Sequence, residues 1–304
     1  MNRWMGVVVL GLAGATPAVA QHTAPTEQQV EAVERSLHPQ TGDVAIPQAG
    51  ATLHLGRDFY YLNPAEAKRV LTEVWGNPPE AVSDALGLVL PAGKTITDNV
   101  WGAVVTWQPS GYVTDDDANS AEYSGVLDQL RSGEAEENRQ RHEQGYPGMH
   151  LVGWAQPPSY DRTSHAMVWA RDLHVDGAAN DTLNYDVRLL GREGVLSLNM
   201  LAGMADLPDV RRAAAIFGRT AAFQPGQRYA DFDAAHGDKR AGYGLAGLVA
   251  AGVGVVAAKK LGVLALVLRF GKKGLVLLAV AGAAVKRGLG KLFGRKGGDG
   301  EAQA

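Results

Sequence analysis

Leu183–Leu201 reads LNYDVRLLGREGVLSLNML, two apolar-rich segments separated by the turn Gly191–Gly194. Apolar and polar residues alternate through much of each segment, as they do in strands of a sheet. A short glycine-bounded turn between two such segments predicts an antiparallel hairpin. The turn lacks the spacing of a phosphate-binding loop and the helix that would follow one. The stretch is therefore expected to be a pair of hydrogen-bonded strands.

Further strands and helices are predicted around this hairpin. Apolar patterns indicate six more strands, at residues 51–55, 59–62, 86–90, 100–107, 149–154 and 164–169. Helical spacing and capping residues predict helices at 26–37, 63–75, 118–142 and 207–220, the second with Asn63 as its N-cap. Paired strands separated by helices without regular alternation favour an α+β fold, with a mainly antiparallel sheet and flanking helices, over a parallel doubly wound fold.

The two ends of the chain differ from this body in composition. Residues 1–20 carry one positive charge, an apolar run and the small residues Ala18-Val19-Ala20, the pattern of a cleaved secretory signal peptide. An uncleaved N-terminal anchor is the alternative. The expected organisation is a signal peptide at 1–20, an N-terminal helix and linker at 21–50, a periplasmic α+β domain at 51–232, a linker at 233–240, a membrane anchor with a basic tail at 241–296, and a disordered tail at 297–304.

The segment from Gly244 to Lys296 is apolar, rich in small residues and holds ten basic residues with no acidic one. A bilayer with anionic lipid suits such a composition. The predicted span is Ala241–Lys260, with Tyr243 at one interface and Lys259 and Lys260 at the other. The basic residues beyond it are then expected on the cytoplasmic leaflet, in amphipathic helices with Arg269, Lys272 and Lys273 on one edge. A helical hairpin that returns through residues 274–285 is the alternative.

Small residues recur at every fourth position of the predicted span, at Ala246, Ala250, Gly254 and Ala258. Such a stripe lets two helices approach closely in lipid. It predicts a homo-oligomer, although alanine and glycine are abundant throughout this segment.

Charge and cysteine content exclude several classes of function. Positions 22–258 carry a formal net charge of −12, which argues against nucleic acid as a partner, because phosphate binding needs a positive surface. The chain has no cysteine, so disulfides and thiolate-bound metals are excluded. Membrane lipids and an unknown envelope protein are the expected partners, and no cofactor is expected.

Two groups of residues are weak candidates for chemistry. Asp115 and Asp117 have the alternate spacing of calcium ligands, but the rest of the loop pattern is missing, and helix capping is the plainer interpretation. An acid/base group could form if the sheet gathered the residues Tyr160, Asp161, His165 and Arg188. On strands, such residues more often face solvent or make structural hydrogen bonds.

Several phrases together resemble a known family. They are TEVWGNPP (72–79), GYVTDDDA (111–118), LVGWAQPPSYD (151–161), the hairpin phrase from Leu183 to Asn199, and RYADFDAAHGDKRAGYGLAGLV (228–249). Their wording and order resemble the bacterial DUF2167 family of uncharacterised membrane-anchored proteins, over roughly residues 55–290. The resemblance implies an exported domain tethered to the inner membrane and brings no catalytic residues.

The expected function is non-enzymatic. An acidic body, a signal peptide, an apolar basic C-terminal segment and no recognisable catalytic spacing indicate an interaction or sensing module of the cell envelope. The expected location is the bacterial inner membrane, with the soluble domain in the periplasm and the basic C-terminus in the cytoplasm. A periplasmic envelope hydrolase that uses Asp, His and Tyr residues of the central strands is the alternative.

Overall fold

A computed structural model describes residues 25–77, 79–98, 100–119, 123–143 and 145–252 of the 304-residue chain. The predicted signal peptide and the residues from Val253 onward lie outside the described residues. Five α-helices are present in the described part, at α1 (Glu27–Arg35), α2 (Pro64–Arg69), α3 (Ser124–Glu143), α4 (Leu207–Thr220) and α5 (Leu245–Gly252).

The strands in the described part range in length from three to thirteen residues. They are β1 (Asp43–Ile46), β2 (Ala51–His54), β3 (Phe59–Leu62), β4 (Gly87–Pro91), β5 (Gly102–Gln108), β6 (Tyr112–Thr114), β7 (Met149–Asp161), β8 (Ala166–Val175), β9 (Thr182–Leu190), β10 (Val195–Gly203), β11 (Ala221–Phe223) and β12 (Arg240–Gly244).

Seven of these strands form one antiparallel sheet in the order β3-β4-β5-β10-β9-β8-β7. The predicted hairpin lies near its centre: β9 and β10 pair in antiparallel register with Leu190 opposite Val195, and the Gly191 amide donates to the Gly194 carbonyl at 2.8 Å. β1, β2 and β11 form a second antiparallel sheet, and β12 pairs with β6 in parallel. The predicted α+β fold with a mainly antiparallel sheet is confirmed.

The main hydrophobic core lies on one face of the large sheet. Alternate residues of β9, such as Leu183, Val187 and Leu189, point into it, and α4 packs over β9 and β10. Phe217 of α4 meets Phe59 and Trp101, with ring centroids 5.0 and 5.8 Å away. Burying a phenylalanine stabilises a fold by about 1.5–3 kcal/mol, so this aromatic corner fixes α4 on the sheet.

The opposite face of the sheet carries a second apolar cluster. Met167 and Trp169 of β8 belong to it, together with Val126 of α3 and with Leu245 and Leu248 of α5. The sheet is therefore covered on both faces, and α5 closes the second one.

The predicted N-cap of α2 is present in the structure. The Asn63 side chain accepts hydrogen bonds from the amides of Ala65 and Glu66 at 3.0 and 3.1 Å, and the Glu66 carboxylate accepts one from the Asn63 amide. This reciprocal pair satisfies amides that the first helical turn leaves without partners. The helix α3 begins at Ser124, six residues later than residue 118 where the sequence predicts its start.

Candidate functional site

Tyr160, His165 and Asp115 come together at the end of the β7–β8 hairpin. The Tyr160 hydroxyl donates to Asp115 Oδ2 at 3.0 Å, and the same phenol oxygen lies 3.0 Å from His165 Nδ1. Because the phenol has only one proton, His165 must donate through Nδ1. Arg162 adds a guanidinium 3.5 Å from Asp115 Oδ2. The arrangement is a closed hydrogen-bond cluster that joins the end of β6 to the β7–β8 turn.

The chemistry of this cluster favours a structural role for the phenol. Burial, and then the neighbouring Asp115 carboxylate, raises the pKa of Tyr160 well above its ordinary value. The phenol therefore stays protonated and donates to Asp115 at neutral pH. A protonated tyrosine whose only proton is held by a carboxylate is a poor nucleophile and a poor general base.

A stack of planar side chains extends from this cluster toward β12. His165, which has a positive φ of 49°, stacks on Tyr229 with ring centroids 4.1 Å apart. Tyr112 lies 4.4 Å from Tyr229 and 4.0 Å from Phe232, and the Arg240 guanidinium lies 5.1 Å from the Phe232 ring. We call His165, Tyr229, Tyr112 and Phe232 the aromatic stack. Its rings face one another, so it connects the β7–β8 turn to the C-terminal part of the body.

The other two predicted catalytic candidates lie elsewhere. Asp161 accepts hydrogen bonds from the Thr163 amide at 2.9 Å and the Ser164 hydroxyl at 2.8 Å, as a turn residue does. Arg188 lies on β9, where it pairs with Asp186 at 2.9 Å. The four predicted residues therefore do not form one acid/base group.

Asp115 and Asp117 point to different partners. Asp117 accepts hydrogen bonds from the amides of Leu245 and Ala246 at 3.0 and 3.1 Å, and so caps α5. The sequence predicts capping of the helix that follows, which is α3, so the capped helix differs from the expected one. The described residues contain no group of three or more His, Asp or Glu side chains placed to hold a metal ion.

α5 is built into the body at the start of the apolar C-terminal segment. Leu245, Leu248 and Val249 are fully buried against the second face of the sheet. Tyr243, predicted at a membrane interface, is half-buried and accepts a hydrogen bond from Gln108 at 2.6 Å. The predicted linker at 233–240 holds a short 3-10 turn, Ala234–His236, and leads into β12. Residues 241–252 therefore pack with the folded body.

Most of the predicted anchor follows Gly252, the last described residue. The residues Lys259, Lys260, Arg269, Lys272 and Lys273 lie outside the described residues, as do Gly254 and Ala258 of the small-residue stripe. Ala250, which belongs to the same stripe, is buried against the body. Within the described ranges, no helix combines the length and the apolar character that crossing a bilayer requires.

A row of buried and partly buried polar side chains lies on the second face of the sheet, where sequence reasoning expects solvent exposure. Asp186 has no exposed surface and binds Arg188, while Arg171 donates to Asn184 at 2.7 Å. Asn184 and Asn199 exchange side-chain hydrogen bonds at 3.1 and 3.2 Å. We call Arg171, Asn184, Asp186, Arg188 and Asn199 the polar face. It lies on β8, β9 and β10, beside the residues that α3 and α5 cover.

The polar face is not fully satisfied. Asp186 Oδ2, Arg171 Nε and the neighbouring Trp169 Nε1 each expose less than 1 Å² and have no hydrogen-bond partner among the described residues. Burial lowers the pKa of Arg171 from its ordinary value; Asp186 opposes this shift and Arg188 adds to it. Buried polar atoms are nearly always paired in folded proteins, so this group is the least ordinary feature of the core.

Comparison with known proteins identifies the family. A family model described as a protein of unknown function, DUF2167, matches residues 38–283. The chain belongs to the DUF2167 family. No curated protein matches this DUF2167 chain. The solution structure of cyanobacterial PsbP (CyanoP) from Synechocystis sp. PCC 6803 is similar at 8% identity over 62% of the DUF2167 chain and 93% of that chain, with a TM-score of 0.34.

Sequence reasoning missed the polar face of this DUF2167 protein for an identifiable reason. Asn184, Asp186 and Arg188 alternate with apolar residues along β9, the pattern of a strand with one face in water. The signal that could have revealed burial was the apolar stretch 245–249, which reads as membrane-directed and instead packs over the same face.

Proposed function

We propose that this DUF2167 protein is a membrane-attached interaction module of the bacterial cell envelope, with its folded body in the periplasm at the inner membrane. One observation carries the proposal: α5, the first part of the apolar C-terminal segment, is capped by Asp117 and buried in the body. The segment therefore continues from the folded body without a free linker.

The length of chain between body and basic residues supports close attachment. Lys259 follows Gly252, the last residue of α5, by seven positions. Seven residues reach at most about 25 Å when fully extended. A basic segment that binds anionic headgroups would thus hold the body next to the bilayer surface, where each lysine or arginine near the lipid contributes about 1 kcal/mol.

The docked α5 and the predicted span exclude each other. A helix that crosses the bilayer from Ala241 to Lys260 would require β12 and α5 to leave the body, exposing Leu245, Leu248 and Val249 to another environment. We favour the docked state, in which the residues after Gly252 attach to the lipid. The cytoplasmic position of the C-terminus and the homo-oligomer through the small-residue stripe both require the spanning state, so they stay predictions of that alternative.

The acidic body favours protein partners over further lipid contact. Its formal net charge of −12 across positions 22–258 repels an anionic bilayer and suits a basic surface on a partner. The aromatic stack and the Asp115–Tyr160–His165 cluster connect the β7–β8 turn to the part of the body that leads into α5. We therefore place partner binding on the body and lipid binding on the segment after it.

The alternative, a periplasmic hydrolase, has one observation in its favour, the meeting of Asp115, Tyr160 and His165. The raised pKa of Tyr160 works against it, because the phenol is held as a donor to Asp115. We therefore prefer the interaction module.

Vesicle flotation tests the attachment. The full chain should float with vesicles that contain anionic phosphatidylglycerol. With purely zwitterionic vesicles it should remain in the bottom fraction of the gradient. A variant with Lys259, Lys260, Arg269, Lys272 and Lys273 changed to Gln should lose most of this binding, and high salt should weaken binding of the wild type. The matched control changes five exposed basic residues of the body to Gln: Arg35, Arg57, Lys94, Arg131 and Arg212.

Two outcomes would decide against the proposal. Equal flotation of the tail variant and the body control would remove the role of the basic segment. Resistance to alkaline carbonate extraction, together with protease protection of the C-terminus, would show a true span and therefore an undocked α5.

A further inference from the structure

Three polar atoms without hydrogen-bond partners among the described residues lie in the polar face or beside it. Trp169 of β8 and Asp186 of β9 stand directly opposite each other in register, and Arg171 is two residues along β8, on the same face. Trp169 and Asp186 are completely buried. Their unpaired atoms are two donors, Trp169 Nε1 and Arg171 Nε, and one acceptor, Asp186 Oδ2.

The rest of the polar face does not supply the missing bonds. Both hydrogen bonds from Arg188 go to Asp186 Oδ1, at 2.9 and 3.2 Å, which leaves Oδ2 without a donor. The only hydrogen bond from Arg171 to another described side chain goes from Nη2 to Asn184. The Arg188 guanidinium lies 5.4 Å from the Trp169 ring, over its face and not at its N–H group.

Two positively charged side chains lie beside these atoms. Arg171 and Arg188 share the single buried carboxylate of Asp186. Glu137 of α3 also acts on Arg171, and Asp84 acts on Arg188; burial raises the pKa of both carboxyl groups. Arg188 contacts the Asp186 carboxylate directly, whereas Arg171 donates to the neutral side-chain amide of Asn184, so Arg171 is the guanidinium that an added monoanion would pair with.

We propose that the polar face is a binding site for a small carboxylate that carries a hydroxyl or amino group beside the carboxyl. The carboxylate oxygens accept from Trp169 Nε1 and Arg171 Nε, and the neighbouring group donates to Asp186 Oδ2. One ligand of this class supplies a hydrogen-bond partner for each of the three atoms. The argument is independent of membrane attachment.

The site is closed in the structure described here. Each unpaired atom exposes less than 1 Å², so a ligand can reach it only when a covering helix moves. The eight-residue helix α5 and Val126 of α3 pack in the same cluster as Trp169. Ligand entry therefore requires displacement of α3 or α5, which connects this site to the segment that follows α5.

Calorimetric titration of the full-length protein in detergent tests the proposal. Glycolate, the smallest hydroxycarboxylate, should bind saturably. Acetate, which lacks the hydroxyl, should bind at least about tenfold more weakly, and glycolamide, which lacks the charge, should show no binding. Trp169→Phe and Asp186→Asn should each weaken glycolate binding by about tenfold or more. The matched control is Trp107→Phe, because Trp107 packs against Phe223 on the main-core side.

Circular dichroism shows whether each variant folds. If neither Trp169→Phe nor Asp186→Asn folds, the relative affinities of the wild-type protein for glycolate, acetate and glycolamide decide the test alone. Absence of saturable glycolate binding overturns the proposal. Equal binding of glycolate, acetate and glycolamide, or unchanged binding in both folded variants, also overturns it.

Discussion

Asp117 caps a helix that begins 128 positions later, by accepting the amide hydrogen of Leu245 at 3.0 Å. A second bond, to the Ala246 amide, uses the other carboxylate oxygen. The carboxylate also stands at the N-terminal, electropositive end of α5. This contact joins the loop after β6 to the last described helix.

Loss of this cap should destabilise the protein measurably. Asp117→Ala removes the acceptor for both amides, and the loss of an N-cap costs about 0.5–2 kcal/mol. The free energy of unfolding from urea titration should fall by that amount, whereas Asp117→Asn should retain most of it. Asp116→Ala is the matched control, because Asp116 is exposed. An equal loss in both alanine variants would contradict the capping role.

Gly244→Ala should disturb the same contact from the other side. A Cβ at Gly244 would lie 2.8 Å from Asp117 Oδ1, so the carboxylate must move away from the α5 amides. Crowding of this kind typically costs about 1–3 kcal/mol. Gly242→Ala is the control, because no described atom outside its neighbours lies within 4 Å of its Cβ position. In thermal unfolding, Gly244→Ala should melt at a lower temperature than Gly242→Ala. Similar melting temperatures would rule out crowding at Gly244.

Stability should depend on pH through His150. Its Nδ1 contacts Glu134 Oε1 of α3 at 2.5 Å, and this hydrogen bond is the main cause that raises the pKa of His150. The folded-state pKa of His150 lies above the unfolded value of about 6.5. The stability gained from the His150–Glu134 contact is therefore fully present below pH 6.5. It is lost as the pH rises through the folded-state pKa.

The measurement is the urea midpoint of wild type and His150→Gln across this range. The difference between them should be largest near pH 5 and should shrink at alkaline pH. Glu134→Gln should abolish most of the pH dependence while His150 is retained. A difference that stays constant with pH would show that His150 acts only by packing.

Tyr160→Phe separates a structural role from a catalytic one. The change removes the bonds to Asp115 and His165, and the half-buried site should lose about 0.5–1.5 kcal/mol of stability. Phe232→Leu, which alters the aromatic stack and leaves these bonds in place, is the comparison. If the purified protein hydrolyses an envelope substrate and Tyr160→Phe abolishes that activity without changing stability, the structural role is wrong.

Local patterns were sufficient for much of the fold. The turn at Gly191–Gly194 and the cap at Asn63 depend on residues a few positions apart, so the sequence shows them directly. The antiparallel sheet follows from the same short-range signals.

Contacts between distant residues were not predictable in this way. The pairing of Asp117 with Leu245 depends on which strand lies beside β6, and no local pattern carries that information. The burial of Asp186 has the same cause, because an alternating strand does not show what covers its polar side. The composition of the apolar stretch at 245–249 suits lipid and a protein core equally well, so it does not distinguish a membrane span from a buried helix.

The packing of α5 also sets the order in which the chain can complete its fold. Met167 and Trp169 emerge some eighty residues before Leu245 and Leu248, the side chains that bury them. A growing polypeptide therefore keeps an apolar surface available to chaperones until α5 emerges. Completion of this face of the sheet is thereby postponed until α5 has been synthesised.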